Sequence, residues 1–240
     1  MMKPKPQPKK SSSSDAGFTI IESLVGIVIV AILLAAIAPV LVMSTAIRVQ
    51  SRRIEKATQA ANTFIDGIRT GSIAPPTKKV TLTAPTSTVS RTVTNNPGDY
   101  LINITQMPVP TATDTDLYYF QKTGIICKSS DSTCTKDSTS PFDEFYIQAA
   151  RIAVTDTPND GYRLAIRVYQ STVNFNQTLL ASTGNSQKQL DSPVVASMGN
   201  RQKPLVERTV DIGNSSTTFQ ALCSRLGMAK NSAGNNQNCQ

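Results

Sequence analysis

The sequence predicts an α+β protein in which one long N-terminal helix, half transmembrane and half amphipathic, packs on an antiparallel β-sheet. Three observations carry that reading. An uncharged apolar run, Leu24–Met43, is followed by apolar residues at helical spacing as far as Ile68. Apart from a short alternating piece at Val80 and Leu82, strand patterns begin at Tyr100. A Thr-, Pro- and Ser-rich stretch over residues 75–99 separates the two.

The apolar run is 20 residues long. At about 1.5 Å per residue a helix of that length spans about 30 Å, the thickness of a bilayer core. A secretory signal peptide is the competing reading, and Ala36-Ile37-Ala38 has the form of its cleavage site. Pro39 directly after that tripeptide, and the length of the run, weigh against removal there. Four lysines precede the run, whereas Arg48, Arg52 and Arg53 follow it; the lysines favour an N-terminus inside by a small margin.

Beyond the run, Ile47, Ile54, Ala57, Ala61, Phe64, Ile65 and Ile68 recur at seven, three and four, with Arg52, Arg53, Glu55 and Lys56 between them. That spacing predicts an amphipathic continuation whose apolar face is covered by a small sheet. Gly71 and the Pro75-Pro76 pair supply its stop.

In residues 75–99 only Val80 and Leu82 alternate, which predicts at most an edge strand. Tyr100, Ile102 and Ile104 then alternate with Leu101, Asn103 and Thr105, and Leu117–Phe120 forms a short aromatic run. The clearest hairpin joins Phe145–Val154 to Tyr162–Val173 through TDTPNDG. In its second arm Tyr162, Leu164, Ile166 and Val168 define a buried face, and Arg163, Ala165, Arg167 and Tyr169 the opposite, solvated one. Leu205–Ile212 reads as a further strand, and 182–204 as loop.

Composition narrows the function. The net charge is +8, of which four lysines against Asp15 in residues 1–17 supply +3, so the remaining chain is only mildly basic and no nucleic-acid partner is expected. Histidine is absent, which removes the commonest general base and metal ligand. The four cysteines form two local pairs, Cys127 with Cys134 and Cys223 with Cys239. Three connectivities are open, and local pairing is the simplest. The second bridge would enclose 15 residues, worth about 3 kcal/mol by chain-entropy arguments. Neither spacing suits zinc, so disulfides in an oxidising compartment are predicted, with no metal and no cofactor. Asp156 and Asp160 in the hairpin turn, and Asp114 and Asp116, are minor calcium candidates, because turn aspartates usually serve backbone geometry. Sequons at Asn103, Asn176 and Asn214 are unremarkable in so Asn- and Thr-rich a chain.

One residue does not suit an ordinary anchor. Glu22 stands at the entrance to the apolar run, where an ionisable group costs up to about 2.5–3.5 kcal/mol on insertion. Around it lies Gly17-Phe18-Thr19-Ile20-Ile21-Glu22-Ser23-Leu24-Val25, after a short basic, Ser-rich leader. This segment closely resembles the prepilin signature of type IV pilins and type II secretion pseudopilins. The resemblance implies cleavage between Gly17 and Phe18 by a prepilin peptidase and N-methylation of Phe18. It also implies that Glu22 pairs with the N-terminal amine of a neighbouring subunit, and that Pro39 is the family's helix-weakening proline. Partners implied with it are other pilin subunits, the peptidase, an inner-membrane assembly platform and the lipid bilayer.

Under that resemblance the chain divides into a leader (1–17), a transmembrane assembly helix (18–43), its amphipathic continuation (44–74) and a sheet domain outside the membrane (75–240). Residues 18–75, with Arg52-Arg53-Ile54-Glu55-Lys56-Ala57 among them, more narrowly resemble a hormogonium polysaccharide secretion pseudopilin of filamentous cyanobacteria. The expected function is therefore that of a minor structural subunit supporting polysaccharide secretion and gliding, not an enzyme. The alternative is an adhesive pilin that contacts polysaccharide or DNA through Arg163 and Arg167.

Overall fold

In the computed structural model the described residues are 19–83, 104–137, 142–155, 160–182, 200–226 and 233–235. The chain divides into two compact units, Met1–Thr45 and Ala46–Gln240. Helix α1, Ile20–Thr70, runs through the boundary between them.

Thr19 starts α1. Its hydroxyl accepts from the Glu22 amide at 3.3 Å and its carbonyl from the Ser23 amide at 3.1 Å. Every residue from Thr19 to Thr45 is exposed, and the large aliphatic side chains of Ile20–Met43 lie 49–84% open. Fully burying such a side chain is worth about 1.5–3 kcal/mol, so this surface demands an apolar environment supplied from outside the chain. Pro39 lies within the helix and offers no donor to the carbonyl four residues before it.

In the second unit the helix turns amphipathic as its spacing predicts. Ala57, Ala60, Ala61, Phe64, Ile65 and Ile68 are buried against one face of a sheet. The alanines let the helix backbone approach closely, and Phe64 meets Tyr118 with ring centroids 4.7 Å apart. Gly71 ends the helix at φ 76°, a conformation that costs a residue with a side chain more than glycine. Ile73 folds back over the last turn, its amide donating to the Gly67 carbonyl at 3.0 Å. A Cβ on Gly67 would stand 2.5 Å from the Ile73 Cδ1, so any larger residue there requires the Ile73 side chain to shift.

The sheet holds β1 (Lys79–Thr81), β2 (Leu117–Phe120), β3 (Ile126–Lys128), β4 (Phe145–Ala153), β5 (Tyr162–Gln170) and β6 (Val206–Ile212), followed by a short helix α2 (Phe219–Leu226). The order is β3-β2-β4-β5-β6, with β1 also on β4. All pairings are antiparallel except β1 with β4, which is parallel over Lys79–Thr81 and Arg151–Ala153. The β4–β5 hairpin is the one the sequence predicts, in register from Phe145↔Gln170 to Ile152↔Arg163. The α+β architecture of a long helix on a sheet is thus confirmed. Strand β3 and helix α2 are elements the sequence reading missed. Of the alternating segment at 100–104, residues 100–103 lie outside the described set and Ile104 sits in a turn.

One expectation is overturned. Leu164, Ile166 and Val168 face the helix, but the opposite face of β5 is not solvated: Arg163 is 6% exposed and Arg167 fully buried. Two apolar clusters cover that face. One gathers Val80, Leu82, Met107, Ala150, Ile152 and Ala165, the other Tyr169, Val173 and Leu179 with Val109, Tyr146 and Phe175 beside them. The cover comes from non-periodic segments distant in sequence, which a period-two pattern cannot reveal.

Candidate functional site

The two units present different chemistry. In the first, Glu22 occupies the first turn of α1, three residues after the capping Thr19. That is the capping-box arrangement, and a carboxylate there also complements the positive end of the helix dipole. Glu22 is exposed, as are the apolar residues that follow it. Gly17 and Phe18 lie outside the described residues. The helix is long and apolar enough to cross a membrane.

In the second unit the buried charged groups serve internal structure. Gln148, Arg167 and Glu207 stand side by side on β4, β5 and β6. The Arg167 Nε donates to the Glu207 Oε1 at 3.2 Å, and its Nη1 donates to the Met107 carbonyl at 2.5 Å and the Gln148 Oε1 at 3.1 Å. The Gln148 amide reaches the Pro108 carbonyl at 2.6 Å, and Glu207 accepts from both the amide and hydroxyl of Ser182. This ladder ties two covering segments to the sheet. Burial pulls the Arg167 guanidinium below its ordinary pKa, opposed by Tyr169 and Glu207. Nearer the hairpin turn, Asp211 lies between Arg163 at 3.7 Å and Arg225 of α2 at 3.6 Å. Arg225 also donates to the Asp160 carbonyl, which docks α2 beside the turn. Arg163 and Arg167 are therefore not positioned to contact a polysaccharide or DNA.

The calcium candidates are likewise engaged. Asp116 accepts from the Thr77 amide and hydroxyl, both at 2.8 Å, and from the Lys78 amide at 2.6 Å, tying the approach to β1 onto β2. Asp114 accepts from the Thr111 amide and hydroxyl, and the Asp160 Oδ2 from the Thr155 hydroxyl. Asp156 is outside the described residues. Among the described residues no group of three or more His, Cys, Asp or Glu is placed to hold a metal ion. Asn214 shapes its own turn, accepting from the Ser216 amide and the Thr217 hydroxyl; Asn103 is outside the described set.

Cys127 on β3 is bridged to Cys134, with Cα atoms 5.6 Å apart, as local pairing predicts. Cys223 on α2 is disulfide-bonded too, while Cys239 lies outside the described residues. Beside the first bridge is a group that sequence reasoning missed. Glu144, 1% exposed, accepts from the Tyr119 hydroxyl and the Asp137 amide. Only its neighbours hint at this: it directly precedes the apolar run of β4.

Five tyrosines share an electrostatic signature. Burial raises the pKa of Tyr118 to about 12, with Asp116 and then Tyr162 adding to it. Tyr119, Tyr146, Tyr162 and Tyr169 are raised as well, burial again the first cause. Unfolded tyrosines ionise near pH 10, so as pH rises past that value the unfolded state gains stability that the folded state, holding its tyrosines neutral, does not. Thermal melting followed with tyrosinate absorbance should show stability intact below about pH 10 and falling steadily toward about pH 12. A melting temperature constant across that window would contradict the burial described here.

Residues 12–38 match the family model described as the prokaryotic N-terminal methylation motif. No curated protein and no solved structure matches the chain. The motif, together with a long apolar helix and an α+β unit beyond it, supports a type IV pilin-like subunit. The motif implies a structural role, and with it interaction with other pilin subunits and with a prepilin peptidase.

Proposed function

We propose that the chain is a minor pilin or pseudopilin, made as a precursor, cut between Gly17 and Phe18, N-methylated on Phe18 and assembled through α1 into a type IV pilus-like filament. One observation carries this reading. The methylation motif overlaps a helix whose aliphatic side chains are left uncovered from Ile20 to Met43, and the same helix supplies the core of a sheet domain from Ala57 onward. An apolar surface of that length suits a bilayer first and a bundle of identical helices afterwards. The leader (1–17), assembly helix (18–43), continuation (44–74) and sheet domain (75–240) are then functional segments. The sheet domain lies outside the plasma membrane, and the Cys127–Cys134 bridge favours that oxidising side.

Glu22 serves assembly by meeting the Phe18 amine of a neighbour, and Pro39 weakens the helix where it must adjust in the filament. The narrower role, supporting polysaccharide secretion and gliding, rests on the resemblance of residues 18–75 alone. The test of the central reading is the intact mass of the mature protein from cells that contain the peptidase. A chain beginning at a methylated Phe18 is expected; a mature chain beginning elsewhere would overturn the reading.

A further inference from the structure

The helix carries a cationic row directly after the apolar run. Arg48, Arg52 and Lys56 are spaced four apart, so they lie on one side of α1, and all three are exposed. Beside them is a cleft of about 560 Å³, lined by Arg52, Arg53, Lys56 and Phe142, with Glu55 and Asp143 as its two carboxylates. Phe142 is 53% exposed. The Arg53 guanidinium lies 4.9 Å from the centre of its ring and also donates to the Gln170 Oε1 at 3.1 Å, so the wall of the cleft is held in place.

We infer that this cleft and the Arg48-Arg52-Lys56 row bind the headgroups of anionic phospholipids in the leaflet facing the sheet domain. The inference rests on the reading of Leu24–Met43 as a membrane span. Arg48 and Arg52 come five and nine residues after Met43 in an unbroken helix. Long cationic side chains in that position reach back to phosphates at the bilayer surface while their stems lie along apolar surface. An exposed phenylalanine beside such cations adds apolar area that the boundary between headgroups and acyl chains accommodates. Charge favours the lipid over a second copy of the chain. Four cations against two carboxylates leave the patch positive, and a second copy brings the same excess within a chain of net charge +8.

The test uses the full chain reconstituted in phosphatidylcholine vesicles, with spin-labelled phosphatidylglycerol or spin-labelled phosphatidylcholine as the probe. The immobilised fraction of the anionic probe should exceed that of the zwitterionic one on the order of fivefold, the scale of one surface cation, and high salt should remove the excess. The triple variant Arg48→Gln, Arg52→Gln, Lys56→Gln leaves Arg53 and its partners in place and should lose the preference. If that variant proves poorly folded by circular dichroism, Arg52→Gln alone should still lower it. No preference in the wild type, or a preference that survives these changes, overturns the inference. So does a cross-linked dimer in pure phosphatidylcholine that the triple variant abolishes, since the row would then serve contact between copies. Resistance to alkaline extraction is scored separately. A chain that washes off the vesicles defeats the membrane reading itself, whereas a firmly inserted chain without lipid preference defeats only this inference.

Discussion

Replacing Glu22 with alanine is expected to abolish incorporation of the subunit into filaments while leaving the processed chain in the membrane. Two roles for Glu22 compete, and they make different demands. As the third residue after the capping Thr19 it supports the start of α1, a task that glutamine performs as well as glutamate. As the partner of a neighbour's Phe18 amine it must carry a negative charge within an apolar helix bundle. Removing one member of a buried ion pair leaves the other uncompensated, at a cost of about 3–5 kcal/mol. That corresponds to more than about a hundredfold in the subunit equilibrium. Glu22→Gln therefore separates the two roles, since it keeps the cap and loses the charge. Filament yield in shear fractions of cells carrying each variant is the measurement. Normal filaments from Glu22→Gln would leave the residue with its capping role alone.

The second large effect belongs to the sheet domain. Arg167→Met should destabilise the protein by about 3–5 kcal/mol, a large share of the 5–15 kcal/mol that holds a typical domain together. The substitution preserves apolar bulk, but Glu207, side chain 3% exposed, loses its cation. The Met107 carbonyl and the Gln148 Oε1 lose donors in the same step. Thermal melting of the full chain in detergent should show a fall of roughly 10 °C or more. The double variant Arg167→Met, Glu207→Leu should recover much of that loss, because a buried pair replaced by apolar groups is often close to neutral. It will not recover all of it, since the Ser182 amide and hydroxyl then lose their acceptor. Unchanged melting of the single variant would show that Arg167 does not lie in the buried ladder described here.

The N-terminal helix was legible because its determinants are local. Helix length, the Gly71 stop and the apolar stripe from Ala57 to Ile68 follow from residues within one or two turns of each other. The hairpin was legible for the same reason, its two arms being joined by a short polar turn. Local spacing also pointed to the Cys127–Cys134 bridge. The three-residue β3 is too short to show a period of its own, and α2 has a narrow apolar face that few residues define.

Arg163 and Arg167 show where local patterning stops. Two arginines alternating with Ala165 on a strand describe a wet face in any period-two reading. Whether that face is wet depends on whether another part of the chain lies over it. Here Met107 and Pro108, about 60 positions earlier, and Ser182, 15 positions later, close over it, while Glu207, 40 positions later, neutralises Arg167 from the next strand. Asp116 is a similar case, since its three donors come from Thr77 and Lys78 across nearly 40 positions.

What the sequence by itself determined was the long N-terminal helix: the length of its apolar run, Glu22 at the entrance to that run and its passage into an amphipathic stretch. Hydrophobicity along a single helix is a one-dimensional property, so reading it needs no knowledge of what packs where. Only the tertiary structure decided which charges are buried, which aspartates are already satisfied, and that the uncovered cations of the second unit include a row beside Phe142. Those are properties of surfaces assembled from distant segments, and burial is decided by what meets in space.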